Sequence, residues 1–365
     1  MFKGHPKGLI AAALANMGER FGYYIMNAVL VLFLCSKFGL SEETSGTIYS
    51  FFYAGIYLLA LVGGAIADRT QNYKGTIRTG LIIMATGYVL LSIPILATST
   101  NIAWLLPLTC FALFMIAFGN GLFKGNLQAI VGQLYDDFEA EAAKQGPEAL
   151  KIAKSKRDSG FQIFYVFINV GGLIAPFIAP LLREWWLGAN GMAYNAQLPA
   201  LCHEFINNGA QMSQAALDNL NALMTAAGGN VAELTNACQN YLQIFNEGIH
   251  YSFIASVVAM VISLIIFVAY QRRFPTPGKK TKVESQSYTA EEKRAMAKEI
   301  KQRMAALFAV LGISFFLCTR LCRFERSRSG DLAGNQSFLR YYAYPYCYGF
   351  VRLVEPSGKR NIDTP

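Results

Sequence analysis

Seven apolar stretches constrain the fold of this chain more than any other feature of its sequence. They run over Leu9–Leu34, Thr47–Ala67, Ile77–Leu96, Ile102–Val131, Gly160–Leu182, Tyr251–Tyr270 and Met304–Leu317. About 20 apolar residues are needed to cross the hydrocarbon core of a bilayer as a helix, so the seventh stretch is too short and the fourth must tilt or protrude. A spanning segment in lipid must satisfy its own backbone hydrogen bonds, which requires helices here. The sequence therefore predicts an all-α membrane protein with six helices and a partial seventh.

Composition supports the membrane assignment. Only 15% of the 365 residues are charged, whereas a soluble domain carries about 25%. A net charge of +9 could indicate nucleic acid as a partner, but the basic residues are confined to particular loops, so we expect none. The first apolar stretch is too long for a cleavable signal peptide and contains Glu19 and Arg20.

The distribution of Lys and Arg predicts the orientation. The amino-terminus and the even-numbered connections are basic, whereas the odd-numbered connections contain almost no cations. Because cytoplasmic loops collect Lys and Arg, we expect a multi-pass protein of the cell (inner) membrane with a cytoplasmic amino-terminus. The predicted units are helices 1 to 5 in 1–182, an external insert in 183–247, helix 6 in 248–271, a basic cytoplasmic linker in 272–303, a partial helix 7 in 304–317, and an atypical tail in 318–365.

The insert and the tail are the two unusual parts. The insert is acidic, and leucines at helical spacing in Gln211–Ala226 predict a small external helical hairpin. Its cysteines, Cys202 and Cys238, leave open whether a disulfide joins them. From Cys318 onward apolarity collapses into an arginine- and tyrosine-rich run. We interpret this run as foreign to the fold, as a shifted reading frame would produce, with a genuine cytoplasmic extension as the alternative.

Ionisable residues inside the apolar stretches are the candidate functional residues. Each such charge costs roughly 2.5–3.5 kcal/mol at the centre of a membrane helix and by default marks a functional site. Polar residues at helical spacing form one stripe on each of three helices. These stripes are Asn16, Arg20, Tyr23 and Asn27 on the first, Asn120, Lys124 and Gln128 on the fourth, and Gln162, Tyr165 or Val166, and Asn169 on the fifth. Together they predict a hydrated pocket suited to a solute with a carboxylate and amide groups.

Each stripe also has a purely structural explanation. Glu19 and Arg20 can form a packing ion pair, Lys124 can extend to an interface, and Asn169 can make an interhelical hydrogen bond. The three stripes together favour the pocket. Gly119, Gly121 and Gly125 are not preceded by a strand, so we assign them to close helix packing rather than to a dinucleotide loop. The sequence contains no phosphate loop, nucleophile elbow or paired histidines, so we expect no enzyme, no metal site and no cofactor.

Three motifs resemble those of the proton-dependent oligopeptide transporters, a branch of the major facilitator superfamily. The first is Glu-Arg-Phe-Gly-Tyr-Tyr at 19–24, the second Phe-Gly-Asn-Gly-Leu-Phe-Lys at 118–124, and the third Phe-Tyr-Val-Phe-Ile-Asn-Val-Gly at 164–171. A fourth, Gly-Ala-Ile-Ala-Asp-Arg at 64–69, is similar to a loop common to the whole superfamily. The resemblance implies the six-helix amino-terminal bundle of a major facilitator fold and alternating access between two bundles.

The resemblance also implies roles for individual residues. Glu19, Arg20 and Lys124 would couple protons to transport, and Asp68 with Arg69 would gate the cytoplasmic side. The substrate-binding residues would be Arg20, Tyr24, Asn27, Tyr57, Lys124 and Asn169. Two positions depart from the family pattern: Asn16 replaces a glutamate and Gly125 replaces a proline. The loss of one carboxylate puts the stoichiometry of proton coupling in question.

The expected function is proton-coupled symport of di- and tripeptides, with protons as the coupling ion and the lipid bilayer as surroundings. The second bundle is missing from the sequence, so we interpret the chain as an amino-terminal half and expect no transport by it alone. Two alternatives stay open. One is a transporter of another small solute, and the other is a non-transporting membrane protein whose external insert binds a partner.

Overall fold

The computed structural model describes residues 4–98 and 100–275, together with the isolated positions Arg294 and Gln302. The predicted linker from residue 276, the partial helix 304–317 and the tail 318–365 therefore lie outside the described residues. The described part contains eight α-helices, three short 3-10 turns and no strand. The helices are α1 (Leu9–Phe38), α2 (Glu42–Thr70), α3 (Tyr73–Ser92), α4 (Ile102–Ala143), α5 (Pro147–Ala189), α6 (Leu198–Asn208), α7 (Gln214–Ala226) and α8 (Leu234–Tyr270).

Six of these helices, α1 to α5 and α8, are long and apolar enough to cross a membrane, which confirms the predicted fold class. Several of their ends carry the residue types that commonly cap helices. Gly39 ends α1 in a left-handed conformation, Ser41 caps α2 by accepting from the Thr44 amide, and Asn72 caps α3 by accepting from the Gly75 amide. Short capped turns therefore reverse the chain between consecutive spans.

Helices α4, α5 and α8 extend well beyond their apolar stretches, which corrects the predicted helix boundaries. Helix α5 begins at Pro147, so the basic residues at 151–157 are helical rather than part of a loop. It continues to Ala189, and α8 begins at Leu234, so the segment between them is 190–233 rather than 183–247. Hydropathy detects only the part of a helix that suits lipid, whereas helical hydrogen bonding continues into water.

The stretch 211–226, predicted to form a helical hairpin, contains the single helix α7, which pairs instead with the preceding helix α6. Helix α6 packs on α8, where Cys202 and Cys238 are both fully buried, and it also reaches the end of α1, where His203 Nε2 lies 2.7 Å from the Ser36 carbonyl oxygen. The pair is therefore seated on the ends of α1 and α8.

The packing places α1 and α4 inside the bundle. Helix α1 packs mainly against α8 and α5, while α4 packs against α2 and α3. By contrast, α2 and α5 leave most of their apolar surface exposed. Polar residues midway along α1 and α4, such as Glu19, Arg20 and Asn120, are consequently buried, whereas those of α2 and α5 include exposed positions.

Candidate functional site

Glu19 and Arg20 form a two-contact ion pair in the middle of the bundle. Arg20 Nε donates to Glu19 Oε2 at 2.5 Å, and a second guanidinium nitrogen donates to Oε1 at 2.7 Å. The third member is Asn120 of α4, whose Nδ2 donates to Glu19 Oε1 at 2.7 Å. We call Glu19, Arg20 and Asn120 the buried charge cluster, since Glu19 and Asn120 are fully buried and Arg20 is 6% exposed.

Aromatic side chains surround this cluster. The Arg20 guanidinium carbon lies 5.0 Å from the ring centre of Tyr23, which favours the cation. Tyr88 of α3 is fully buried within electrostatic range of Glu19 and Arg20, and its hydroxyl has no hydrogen-bond partner among the described residues. The ion pair is therefore held in a nearly dry surrounding, where its geometry matters most.

Small residues allow the backbones to approach closely around the cluster. Gly22 of α1 meets α8, where Ser256 Oγ donates to the Gly22 carbonyl oxygen at 2.9 Å. Gly119 packs on α3, and Gly121 packs on α2, where an added Cβ would lie 2.5 Å from the Leu59 carbonyl oxygen. The packing role predicted for Gly119 and Gly121 is therefore confirmed. Gly125 has nothing within 4 Å of an added Cβ, so packing among the described residues does not explain it.

Lys124 lies one helical turn after Asn120 and is half-buried. Its Nζ is 5.3 Å from the ring centre of Tyr57 on α2, and the Tyr57 hydroxyl lies 3.0 Å from that of Tyr53. Within the part of the chain that the structure describes, Lys124 forms no ion pair. The structure thus brings Lys124 and Tyr57 together, and it does not place Lys124 in contact with Glu19 or Arg20.

The other predicted binding residues divide between interior and surface. Tyr24 is half-buried against α5 at Gly172, and the Oδ1 atom of Asn27 is buried without a hydrogen-bond partner among the described residues. Asn169 is exposed, and Tyr57 is 53% exposed. Across α4 and α5, Gln128 Nε2 lies 3.5 Å from the Tyr165 hydroxyl. The site therefore combines a buried charged centre with open polar positions on α2 and α5.

The predicted gate lies at the end of α2. Asp68 accepts a hydrogen bond from the Tyr73 hydroxyl at the start of α3, and Arg69 is exposed. This contact ties α2 to α3 across their turn. The gating role itself stays a prediction.

Comparison with known proteins decides the family. A sequence profile of the POT family matches residues 74–311, which is more than half of the chain. The chain belongs to the POT family. The resemblance inferred from the motifs at 19–24, 118–124 and 164–171 is thereby confirmed.

Individual relatives match only part of this POT family member. It is 33% identical over 202 residues to an uncharacterized transporter, YclF, of Bacillus subtilis, covering 54% of the chain and 35% of the relative. It is 35% identical over 184 residues to a di-/tripeptide transporter of Lactococcus lactis subsp. cremoris, covering 48% and 32%. A crystal structure of a peptide transporter POT with sulfate aligns at 25% identity and TM-score 0.48, covering 85% of this chain and 46% of that one. The chain spans about a third of the length of these two curated relatives.

Two residues at the centre received no role from sequence. Asn120 was visible as part of the stripe on α4, four residues before Lys124, but its contact with Glu19 depends on the rotation of α4 against α1. Tyr88 carried no signal, because one tyrosine in an apolar run is ordinary. Their proximity to Glu19 comes from tertiary packing.

Proposed function

We propose that this chain provides part of a proton-coupled symporter for di- and tripeptides. The observation that supports the proposal best is the Glu19–Arg20 pair, a carboxylate and a guanidinium joined by two hydrogen bonds inside a membrane bundle. A carboxylate in such a place can carry a proton, and a guanidinium can bind a substrate carboxylate through the same two-contact geometry.

The coupling follows from the charges of this pair. When Glu19 binds a proton, its attraction for Arg20 falls, and Arg20 becomes available to another carboxylate. A peptide supplies such a group at its carboxy-terminus. A proton entering down a potential of 100 mV contributes about 2.3 kcal/mol, which can bias one conformation over another.

The open polar positions would bind the rest of the peptide. Lys124 adds a second cation next to the face of Tyr57, and Asn169 offers an amide on α5. An amide can both donate to and accept from a peptide bond, so it suits a peptide backbone. The buried charge cluster would then govern coupling, while Lys124, Tyr57 and Asn169 would govern binding.

The test uses a chimera, because the chain spans only part of its relatives. Residues 4–275, which contain the six spanning helices, replace the amino-terminal six-helix bundle of the Lactococcus lactis di-/tripeptide transporter, and labelled dialanine uptake into proteoliposomes is measured with an inward proton gradient. We expect uptake that depends on the gradient and that Lys124→Ala abolishes. Lys144→Ala is the matched control, since Lys144 follows the end of α4 and is exposed.

Other outcomes would reject the proposal in different ways. A chimera that inserts and moves another small solute, but not dialanine, would assign a different substrate. Wild-type-like uptake by the Lys124→Ala chimera would remove Lys124 from the mechanism. If the chimera transports nothing and deletion of 190–233 from the native chain abolishes capture of a partner, the non-transporting alternative would stand.

A further inference from the structure

One atom of the buried charge cluster, Asn120 Oδ1, has no hydrogen-bond partner among the described residues while Glu19 is ionised. Asn120 must point its Nδ2 at Glu19, because an ionised carboxylate only accepts hydrogen bonds. The Oδ1 atom of the same amide is buried and has no hydrogen-bond partner among the described residues. A buried polar atom without a partner is rare and destabilising, so its presence calls for an explanation.

A protonated Glu19 would supply the missing donor. The oxygen and nitrogen of an amide share one carbon, so Oδ1 is adjacent to the Nδ2 atom that contacts Glu19, and a small rotation of the amide can turn it toward the carboxyl group. A carboxylate offers Oδ1 only repulsion between two acceptors, whereas a carboxylic acid offers an O–H group. Acid and amide then pair through two hydrogen bonds, one donated by each partner.

We propose that Asn120 is the positioning residue that holds the proton on Glu19, pairing with the carboxylic acid through both its amide nitrogen and its Oδ1 atom. The proposal rests on the proposed function, in which Glu19 is the group that takes up the coupling proton. Asn120 would thereby stabilise the state in which Arg20 has been released.

The step changes one bond and one charge. A proton from water forms an O–H bond on Glu19, and Arg20 keeps its own proton and its positive charge. The two hydrogen bonds from Arg20 to Glu19 break, and the new O–H donates to Asn120 Oδ1. The net charge of the cluster rises from zero to +1, which favours the arrival of an anionic group.

The neighbouring helices contribute few competing groups. On α1 itself, Arg20, Tyr23 and Tyr24 are the interacting ionisable side chains, and α3 contributes Tyr88. Helix α8 presents the hydroxyls of Ser256 and Ser263, which donate to backbone carbonyls of α1. Helix α5 approaches α1 through Gly171 and Gly172, and on α4 the next cation, Lys124, lies against Tyr57.

Infrared difference spectroscopy of the full-length chain in lipid vesicles tests this inference. Acidification should produce a carboxylic acid C=O band that Glu19→Gln removes. In Asn120→Leu, which has a similar shape but no polar group, we expect this band at higher wavenumber because the acid loses both hydrogen bonds. Asn126→Leu is the matched control. Asn126 is on the same helix and is 2% exposed, but it donates to the Gly63 and Leu122 carbonyl oxygens.

A second measurement avoids the polar-to-apolar change. In the native chain labelled with ¹³C-asparagine, an Asn120 carbonyl band should move to lower wavenumber on acidification, as Oδ1 gains a donor. In Glu19→Gln this movement should vanish, because a glutamine amide can donate at every pH. The inference would be overturned if Asn120→Leu leaves the wavenumber of the acid band unchanged. It would also be overturned if the wavenumber of the Asn120 carbonyl band does not change with pH. Neither spectrum requires transport, so the two proposals can fail separately. If the spectra are as expected but the chimera takes up no dialanine, only the proposed function is rejected.

Discussion

At the scale of single residues, the unusual feature is an ion pair between sequence neighbours that is almost completely buried. Consecutive side chains on a helix diverge by about 100°, so Arg20 must fold back for its guanidinium to meet Glu19. The two-contact geometry recovers part of the large cost of removing both charges from water. Removing either partner therefore leaves a buried, unpaired charge that strongly destabilises the fold.

This dependence predicts the effect of Glu19→Gln. The variant leaves the Arg20 charge buried without its carboxylate, so we expect a loss of about 3–5 kcal/mol in the free energy of unfolding. Denaturant titration of the purified chain in detergent, followed by tryptophan fluorescence, measures it. Adding Arg20→Leu to Glu19→Gln should restore most of the lost stability, because the double variant no longer buries an unpaired charge.

The exposed pair Glu141–Lys144 is the control. Its atoms are 3.2 Å apart, but both side chains are about 70% exposed. Solvent screening limits such a pair to at most about 1 kcal/mol, so Glu141→Gln should change stability little. Equal losses for Glu19→Gln and Glu141→Gln would contradict the burial argument.

At this scale the sequence predicted the charged residues better than their contacts. Glu19, Arg20 and Lys124 were identifiable because charge within an apolar stretch is rare. The family resemblance implied that Lys124 acts with Glu19 and Arg20, and that role stays a prediction; in the structure the Lys124 Nζ lies 5.3 Å from the ring centre of Tyr57. Such contacts depend on helix rotation and register, which the periodicity within one helix does not define.

At the scale of helices, glycine determines how closely α4 approaches its neighbours. Gly121→Ala would place a methyl group against the Leu59 backbone, so we expect a loss of about 1–3 kcal/mol in the free energy of unfolding. Gly125→Ala, one turn later, meets open space and should be neutral or stabilising by up to about 1 kcal/mol. The same denaturant titration compares them. If Gly125→Ala lowers the free energy of unfolding more than Gly121→Ala does, α2 and α4 do not pack as described.

Helix boundaries were the least predictable part of the fold. The apolar stretch of α1 located its start correctly at Leu9, because the polar-to-apolar change coincides with the helix end. For α5 and α8 the polar ends continue the helix by many residues, held by contacts such as those of Arg157 with Asp136 and Glu139. Those contacts join separate helices and leave no local signal in the sequence.

Cys202 on α6 and Cys238 on α8 allow a test of how α6 packs against α8. Both carry free thiols in the structure, and the two side chains lie close enough to interact electrostatically. Both side chains are fully buried, so these two thiols should be shielded from thiol reagents in the folded protein. When the chain is refolded with oxidised glutathione as electron acceptor, we expect a disulfide between them and stabilisation by about 2–4 kcal/mol.

Peptide mapping by mass spectrometry identifies that disulfide, and thermal unfolding measures its effect. Cys202→Ser should prevent both changes. Cys35→Ser should prevent neither, because the Cys35 thiol donates to Ser45 Oγ of α2 at 3.3 Å. A mixture of disulfides that includes Cys35 would contradict the described packing.

At the scale of the whole bundle, two contacts place the amino-terminal segment and the α6–α7 pair at opposite ends of the bundle. His5 Nδ1 lies 2.6 Å from the Tyr135 hydroxyl near the end of α4, so the amino-terminal segment and the α4–α5 turn share one end. His203 contacts the carbonyl oxygen of Ser36, so α6 and α7 sit at the other end. By the positive-inside rule, the cations near the α4–α5 turn predict that the first end is the cytoplasmic one.

Labelling of single cysteines tests this orientation in intact cells. In a chain without its native cysteines, we expect Asn219→Cys on α7 to react with a membrane-impermeant maleimide added outside. Gln145→Cys at the α4–α5 turn should react only after permeabilisation. Both positions are exposed, so accessibility within the fold is matched and the membrane alone separates them. Labelling of Gln145→Cys before Asn219→Cys would invert the orientation, and it would also place the acidic helical pair, rather than the basic turn, on the cytoplasmic side.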